Sequence, residues 1–188
     1  MKTEYLYISP GRIFEMTYQL GEKIKKSDFK PDCLIGISRG GLCIVRILSD
    51  FFDLNEIYIM RTAYYEDIKS TINKPKLIQD VDKKLLEGEN ILVVDDVADT
   101  GGTLVFVVDL LRKRGIKNFK VATLHQKLWS KFKSDFYLEE TDKWIIYPWE
   151  VGQTIKLIMK KSMTKKEKLE ELKKTGIPGE LINKFIKF

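Results

Sequence analysis

The sequence predicts an α/β fold: a doubly wound, mostly parallel sheet flanked by helices, with a short helical C-terminal tail. Two observations predict it. Short apolar runs, typical of strands that are buried on both faces, alternate with segments whose apolar residues recur at helical spacing. The clearest run, ILVV at 91–94, leads into an acidic, glycine-rich turn and then a further helix, which is where doubly wound sheets bind their ligands.

The elements follow one another in a regular order. A short strand at 5–8 precedes an amphipathic helix whose apolar residues run from Ile13 to Ile24, and CLIGI at 33–37 forms the next buried strand. A helix starts at Leu42 and a strand covers 57–60. The remaining predicted elements are a helix over 104–111 and strands over 91–94, 119–124 and 144–147. Strands that alternate with helices in this way imply a mostly parallel sheet.

Two segments depart from that alternation. Residues 61–80 follow neither the helical nor the strand period, and a loop of that length inside a compact domain is usually a functional lid or disordered. In the tail, Thr164 and Glu167 form a capping-box signature and Gly176 ends the helix. The predicted organisation is a domain over 1–159 with a mobile loop at about 62–80, and a lysine-rich helical extension over 160–188.

Composition limits the classes of function. With 188 residues, 44% of them hydrophobic, the chain can bury one sizeable core. No segment approaches the roughly 18 apolar residues that span a bilayer, so a cytoplasmic protein is expected. The net charge of +6 suits a nucleic-acid or polyphosphate ligand, but much of the excess lies in tail lysines, and such runs more often form a solvated helix face.

The turn after the ILVV strand has the features of a phosphate site. A phosphate at the start of the following helix meets free backbone N–H groups and the positive end of the helix dipole. Gly101 and Gly102 let the backbone approach closely, and Thr100 and Thr103 can add hydroxyl donors. The alternative interpretation is an ordinary acidic turn that caps a helix.

Three aspartates in the same turn indicate more than a phosphate cradle, because carboxylates repel phosphates. Asp95 and Asp96 are suited to accept hydrogen bonds from vicinal sugar hydroxyls, directly or beside a metal ion, and Asp99 can reach a base. The turn therefore predicts a ligand in which a sugar carries a phosphate at one end and reacts at the other.

The run VVDDVADTGGT at 93–103 resembles the phosphoribosyl-diphosphate-binding signature of type I phosphoribosyltransferases. Three further segments match in the family's order, over about residues 6–150. SRGGL at 38–42 resembles the loop that grips the diphosphate, often through a non-proline cis peptide, and 62–76 resembles the mobile loop over the site. Lys127 and WIIYPWE at 144–150 resemble the purine-recognition elements of the 6-oxopurine enzymes, in particular the xanthine-guanine and archaeal hypoxanthine-guanine types.

The resemblance implies a purine-salvage enzyme, a glycosyltransferase of the pentosyltransferase group. It would transfer the 5-phosphoribosyl group from 5-phosphoribosyl 1-diphosphate to N9 of guanine, hypoxanthine or xanthine, giving GMP, IMP or XMP and diphosphate, with Mg²⁺ as cofactor. Asp99 would be the general base and Arg39 would stabilise the diphosphate. The implied donor-binding residues are Ser38, Gly40, Gly41, Tyr64, Asp95, Asp96, Thr100, Gly101, Gly102 and Thr103.

On the purine side, the resemblance implies three contacts and a metal position. Lys127 can donate to an exocyclic O6 but not to an amino group, which favours 6-oxopurines over adenine. Trp144 would stack on the base and Ile145 would read its edge through backbone groups. The implied metal contacts are Glu150, Asp95 and Asp96.

Two other functions remain open. One is a regulatory protein of the same fold that senses phosphoribosyl diphosphate and binds nucleic acid, and the other is a phosphoribosyltransferase for another base, such as adenine or orotate. Relatives assemble as dimers or tetramers, so a homodimer or homotetramer is expected. The preferred base and the role of 160–188, which could pack on a partner, dock on its own chain or stay mobile, are left open.

Overall fold

The computed structural model describes residues 3–64, 75–86 and 89–186, apart from the side chains of Tyr64 and Leu85. Contacts divide the chain into a terminal unit, residues 1–13 and 143–188, and a central unit, residues 14–142. In chain order the elements are β1 (Tyr5–Tyr7), α1 (Pro10–Lys25), β2 (Cys33–Ser38), α2 (Gly41–Phe52), β3 (Ile57–Tyr64), β4 (Pro75–Gln79), β5 (Ile91–Ala98), α3 (Gly102–Lys113), β6 (Phe119–Lys127), β7 (Phe136–Thr141), β8 (Trp144–Ile146), α4 (Val151–Lys160), α5 (Lys165–Lys174) and α6 (Gly179–Ile186).

The central unit is built on a six-stranded sheet in the order β4-β3-β2-β5-β6-β7. Its strand pairs are parallel except for β3 with β4, which is antiparallel. The register aligns Val93 of β5 with Ile35 of β2 on one side and with Val121 of β6 on the other. This mostly parallel sheet with flanking helices confirms the predicted fold class.

Burial explains the apolar runs at the starts of β2 and β5. The first four residues of β5 are fully buried, because side chains on both faces of the sheet are covered. Val107 and Leu111 of α3 pack in one core cluster with Val93 and Val121. Burying a side chain of this size contributes about 1.5–3 kcal/mol, so this cluster fixes the position of the carboxyl ends of the strands.

Several boundaries differ from the sequence prediction. β5 continues to Ala98 and β6 to Lys127, so the aspartates at 95 and 96 and the lysine at 127 lie within strands. β3 extends to Tyr64, into the expected loop at 62–80, and there it pairs antiparallel with β4, a strand that the sequence did not predict. Residues 65–74 of that loop lie outside the described residues.

Both unpredicted strands, β4 and β7, lie at the edges of the sheet. β4 begins with proline, and its residues are half-buried or exposed. β7 (FYLEET) is half-buried almost throughout. Its three apolar residues precede its three polar ones and do not alternate with them. Neither edge strand gives the apolar signal on which the prediction of the central strands rests.

The terminal unit has a separate sheet in which β1 and β8 pair in parallel, with Tyr5 opposite Trp144 and Tyr7 opposite Ile146. The WIIY segment is thus a strand, as predicted, but it pairs with β1 and not with the main sheet. Ile146 lies in a buried cluster with residues of the three C-terminal helices, among them Ile155 of α4, Leu172 of α5 and Ile182 of α6.

Polar contacts also hold α5 in the terminal unit. The Tyr5 hydroxyl and the Lys161 ammonium each donate to Oε1 of Glu171 at 2.5 Å, which lowers the pKa of that carboxyl, with the Lys161 bond as the largest cause. Thr164 and Glu167 form the predicted capping box. Of the three possible roles, the tail therefore docks on its own chain, while the domain boundary at residue 160 stays a prediction.

None of the helices in the described ranges is long and apolar enough to cross a membrane.

Candidate active site

The turn between β5 and α3 encloses a cavity of about 160 Å³, lined by Asp95 and the continuous stretch 97–104. Gly101 precedes α3 with φ +81°, a conformation that side-chain-bearing residues rarely adopt. A Cβ at this position would also lie 2.6 Å from the backbone nitrogen of Phe132. Glycine is therefore required there on both grounds, and the turn can come close to a ligand.

The start of α3 gives this cavity its electrostatic character. Among the described residues no side chain caps the helix, and the Gly102 N–H lies 3.4 Å from the Thr100 hydroxyl within the same turn. The N–H groups of a first helical turn have no acceptor within the helix, and the helix dipole is positive at this end. The cavity is smaller than the 300 Å³ or more of typical small-molecule pockets, and it suits a single phosphate group.

The SRGGL loop follows β2, the strand beside β5, and packs directly against β5. The Ser38–Arg39 peptide bond is cis, as the resemblance implied. A Cβ on Gly40 would lie 2.3 Å from the carboxylate of Asp96, and one on Gly41 would lie 2.3 Å from the Val94 carbonyl oxygen. The close packing places the exposed Arg39 next to the acidic turn.

Asp95 and Asp96 have different surroundings, because neighbouring residues of a strand point to opposite faces. Asp95 is half-buried, lines the cavity and accepts the N–H of Asp96 through Oδ1 at 3.0 Å. Asp96 is 8% exposed, lies against Gly40 and is not among the residues that line this cavity. That both carboxylates bind ribose hydroxyls stays a prediction, and of the two only Asp95 lines the cavity.

Asp99 and Lys127 approach each other in the central unit. Lys127 ends β6 and is only 6% exposed, and this burial lowers its pKa, an effect that the carboxylates of Asp99 and Asp142 oppose. Removing an ammonium from water favours its neutral form, whereas nearby carboxylates favour the charged form. The predicted general base and the predicted O6 donor are thus electrostatically coupled.

Trp129 is a third member of this group, and the sequence did not predict it. Its indole Nε1–H donates to Oδ1 of Asp99 at 3.2 Å, and the Lys127 ammonium lies 5.1 Å from the centre of its ring. The available signal was its position, two residues after Lys127 in a turn where large apolar residues are otherwise unexpected.

The other predicted purine and metal contacts lie in the terminal unit. Trp144 is 51% exposed, Ile145 is buried in β8, and Glu150 ends a short 3-10 helix over Pro148–Glu150. Their predicted contacts with a base or a metal ion stay predictions. The side chain of Tyr64 lies outside the described residues, as does the middle of the predicted lid. Within the described ranges, no group of three or more His, Cys, Asp or Glu side chains is arranged to hold a metal ion.

Fold and site together define the class of protein: a doubly wound α/β protein with a glycine-rich turn and a small cavity at the carboxyl edge of its sheet. Residues 4–155 match the model of the phosphoribosyl transferase domain, and the chain belongs to that family. The resemblance of the sequence motifs to type I phosphoribosyltransferases related to the 6-oxopurine enzymes is therefore confirmed.

Individual proteins that are similar to this chain in sequence or structure are also phosphoribosyltransferases. A hypoxanthine-guanine phosphoribosyltransferase of Streptococcus pyogenes is 32% identical over 121 residues, which cover 63% of this chain and 67% of the relative. The structure of a purine phosphoribosyltransferase from Pyrococcus horikoshii has a TM-score of 0.71 and 32% identity, covering 77% of this chain and 93% of its own.

A third relative matches more of this chain. The structure of a hypothetical protein from Neisseria gonorrhoeae with bound ppGpp has a TM-score of 0.69 and 28% identity, covering 92% of this chain and 98% of its own. That coverage exceeds the span of residues 4–155, so part of the C-terminal region also has a structural counterpart.

Proposed function

We propose that this protein is a purine-salvage enzyme that transfers the 5-phosphoribosyl group from 5-phosphoribosyl 1-diphosphate to N9 of a 6-oxopurine. The products are diphosphate and GMP, IMP or XMP. One observation carries the proposal: the Asp99 carboxylate and the buried Lys127 ammonium both contact Trp129, beside a phosphate-sized cavity at the start of α3 that Asp99 lines. A base that carries both a proton to remove and an O6 to bind suits this pair, and the S. pyogenes relative is a hypoxanthine-guanine phosphoribosyltransferase.

Three groups of residues bind the three parts of the donor: its 5-phosphate, its ribose and its diphosphate. The 5-phosphate lies in the cavity on the amides of residues 101–104, where hydroxyls of Thr100 and Thr103 add donors. Asp95 accepts hydrogen bonds from the ribose hydroxyls. Asp96, on the opposite face of β5, lies against Gly40. The diphosphate lies on the loop at 38–41, where Arg39 and the amides of Gly40 and Gly41 offset the charge that develops on departure.

Mg²⁺ is the proposed cofactor. Magnesium usually takes one or two protein carboxylates and completes its octahedral shell with substrate phosphates and water, so the carboxylate of Asp95, one of two aspartates that line the cavity, fits it. Glu150 is proposed as a further metal contact from the sequence motif alone. When bound, the ion would neutralise charge on the diphosphate. Arg39 supplies the fixed positive charge on the protein side.

A second set of residues binds and deprotonates the purine base. Asp99 accepts or holds the proton at N7 of the purine as general base, which makes N9 a better nucleophile toward C1 of the ribose. Lys127 donates to O6. Stacking of Trp144 on the ring, recognition of its edge by Ile145 and a donor contact by Tyr64 are proposed from the sequence motifs alone. A cytoplasmic homodimer or homotetramer is the form in which we expect the enzyme to act.

Lys127 provides a test of base preference. We expect Lys127→Gln to raise KM for guanine and hypoxanthine about 10- to 100-fold, since a hydrogen bond from a charged donor contributes about 1.5–3 kcal/mol. Activity with adenine should not fall in parallel, because adenine has no O6. Initial rates with each purine at saturating donor measure this effect.

The pH dependence of the same variant checks the role of the charge. Burial lowers the pKa of Lys127, so this lysine loses its proton at a lower pH than an exposed lysine does. The KM ratio of variant to wild type should therefore shrink as the pH rises, while ionisation of the free base affects both proteins equally. Lys133→Gln, the same change on a lysine whose ammonium lies over the Tyr137 ring, is the control. Equal KM values for Lys127→Gln and wild type would contradict the role.

The proposed activity itself is tested with donor, Mg²⁺ and each of guanine, hypoxanthine, xanthine, adenine and orotate. We expect nucleotide from one or more of the first three. Nucleotide only from adenine or orotate would establish the alternative phosphoribosyltransferase. No nucleotide from any base, together with salt-sensitive binding of RNA or DNA, would establish the regulatory alternative.

Regulation by a nucleotide is favoured by the N. gonorrhoeae protein, which has ppGpp bound. ppGpp carries a guanine and two diphosphates, which match the base and anion-binding groups proposed here. We expect ppGpp to inhibit this enzyme competitively with the donor, with KM for the donor rising and kcat unchanged. Inhibition that excess donor does not relieve would contradict a shared site.

A further inference from the structure

The turn that follows β6 is hydrogen-bonded to the turn that follows β5. The Ser130 N–H donates to the Lys127 carbonyl at 3.1 Å, which closes the turn. The Lys131 N–H donates to the Thr100 carbonyl, also at 3.1 Å, which ties this turn to the one after β5. Trp129, at the tip of the turn, is therefore presented to Asp99 by backbone hydrogen bonds on both sides.

Side chains reinforce the same arrangement. The Ser130 hydroxyl donates to the Phe132 carbonyl at 2.9 Å, and the Gln126 amide donates to the same carbonyl at 2.8 Å. Gln126 also accepts the N–H of Ser134 at 3.2 Å. The segment 126–134 is thus internally bonded, and these bonds hold the backbone from which Trp129 projects.

Burial does not explain why a tryptophan occupies this position. Its side chain is 52% exposed, and its neighbour Leu128 is 66% exposed. The polar contacts are specific instead: the indole N–H meets the Asp99 carboxylate, and the ring face meets the Lys127 ammonium. An indole can do both at once, because its N–H lies in the ring plane and its face attracts cations.

We propose that Trp129 is a positioning residue that holds Asp99 and Lys127 in the geometry needed to bind and deprotonate the purine. This inference rests on the proposed function. The indole N–H occupies Oδ1 of Asp99 and leaves Oδ2 for the proton at N7 of the base. The ring face restrains the Lys127 ammonium, whose partner in the complex is O6, so the two groups are arranged before the base arrives.

Two substitutions separate the two contacts. Trp129→Phe removes the N–H and keeps an aromatic face, so kcat should fall about 5-fold, the effect of one ordinary hydrogen bond, with little change in KM for the base. Trp129→Leu removes both contacts, so KM for guanine or hypoxanthine should also rise, by about 2- to 5-fold. A merely structural role would not divide between kcat and KM in this way.

The control variant is Leu128→Ala, at the exposed neighbour in the same turn, which should match wild type in both constants. A second measurement does not depend on activity. In ¹H–¹⁵N spectra of the full chain, Asp99→Asn should shift the indole N–H resonance of Trp129, assigned by its loss in Trp129→Phe. The indole resonances of Trp144 and Trp149 report whether the change is general.

The outcomes distinguish the inference from the proposed function. A wild-type protein that makes no nucleotide defeats the proposed function and the positioning role with it. An active wild type with unchanged kcat in Trp129→Phe, or with no shift of the indole resonance in Asp99→Asn, overturns the positioning role alone. A lower KM for the base in Trp129→Leu would also overturn it, because Trp129 would then compete with the base.

Discussion

Asp99→Asn is expected to lower turnover about 10²- to 10⁴-fold, the range that general acid–base catalysis usually contributes. Asparagine retains the size of the side chain and can still accept the indole N–H of Trp129, but it cannot take a proton from the base. Donor affinity should fall far less, because Asp99 lines the phosphate cavity but its negative charge does not attract a phosphate. The effect should therefore fall on kcat.

Steady-state rates with guanine or hypoxanthine, together with calorimetric binding of the donor, measure this separation. Asp109→Asn is the matched control, since it makes the same change on the exposed side of α3, away from the cavity. If Asp99→Asn turned over at the wild-type rate, Asp99 would not be the general base, although the phosphate site could still stand.

Gly41→Ala is expected to have the second large effect. The added methyl group would lie 2.3 Å from the Val94 carbonyl oxygen, a backbone atom that no side-chain rotation can move. Forced overpacking of this kind costs about 1–3 kcal/mol of folding free energy. Separating the loop from β5 also moves Arg39 away from the donor, and a shift of about 1 Å in a positioning group can cost about 10²-fold in kcat/KM.

Chemical denaturation and donor titration of the same preparation measure both effects of Gly41→Ala. Gly11→Ala is the control: Gly11 lies in α1, and an added Cβ there meets nothing within 4 Å. That variant should match or slightly exceed wild type in stability, since alanine favours helix by up to about 1 kcal/mol over glycine. A folded, fully active Gly41→Ala protein would show that the loop does not depend on contact with β5.

The sequence predicted the buried centre of the fold best. Residues 33–37 of β2 and 91–94 of β5 are covered on both faces, so both are short apolar runs bounded by turn residues, the pattern of a buried strand. β4 and β7 lie at the sheet edges with half-exposed side chains, and their sequences lack that signal. The pairing of β8 with β1 joins residues far apart in the chain, and no local pattern encodes it.

The candidate site also has parts that the sequence predicted and parts that it did not. The glycines and aspartates of the turn after β5 are contiguous, so the sequence could predict a phosphate pocket there. Because β5 continues to Ala98, Asp95 and Asp96 face opposite sides of the sheet, which a predicted strand end at residue 94 concealed. Trp129 reaches Asp99 only because two separate turns meet, and spacing along the chain does not predict such a contact.

The most direct test of the central claim is to measure the amounts of nucleotide and diphosphate formed in the same reaction. Wild-type protein is mixed with 5-phosphoribosyl 1-diphosphate, Mg²⁺ and guanine, hypoxanthine or xanthine, and nucleotide and diphosphate are measured by chromatography and ³¹P NMR. We predict that the two products form in equal amounts with at least one of the three bases, and that neither forms when the base is omitted. Diphosphate released without a base, or no nucleotide from any of the three, would contradict a 6-oxopurine phosphoribosyltransferase.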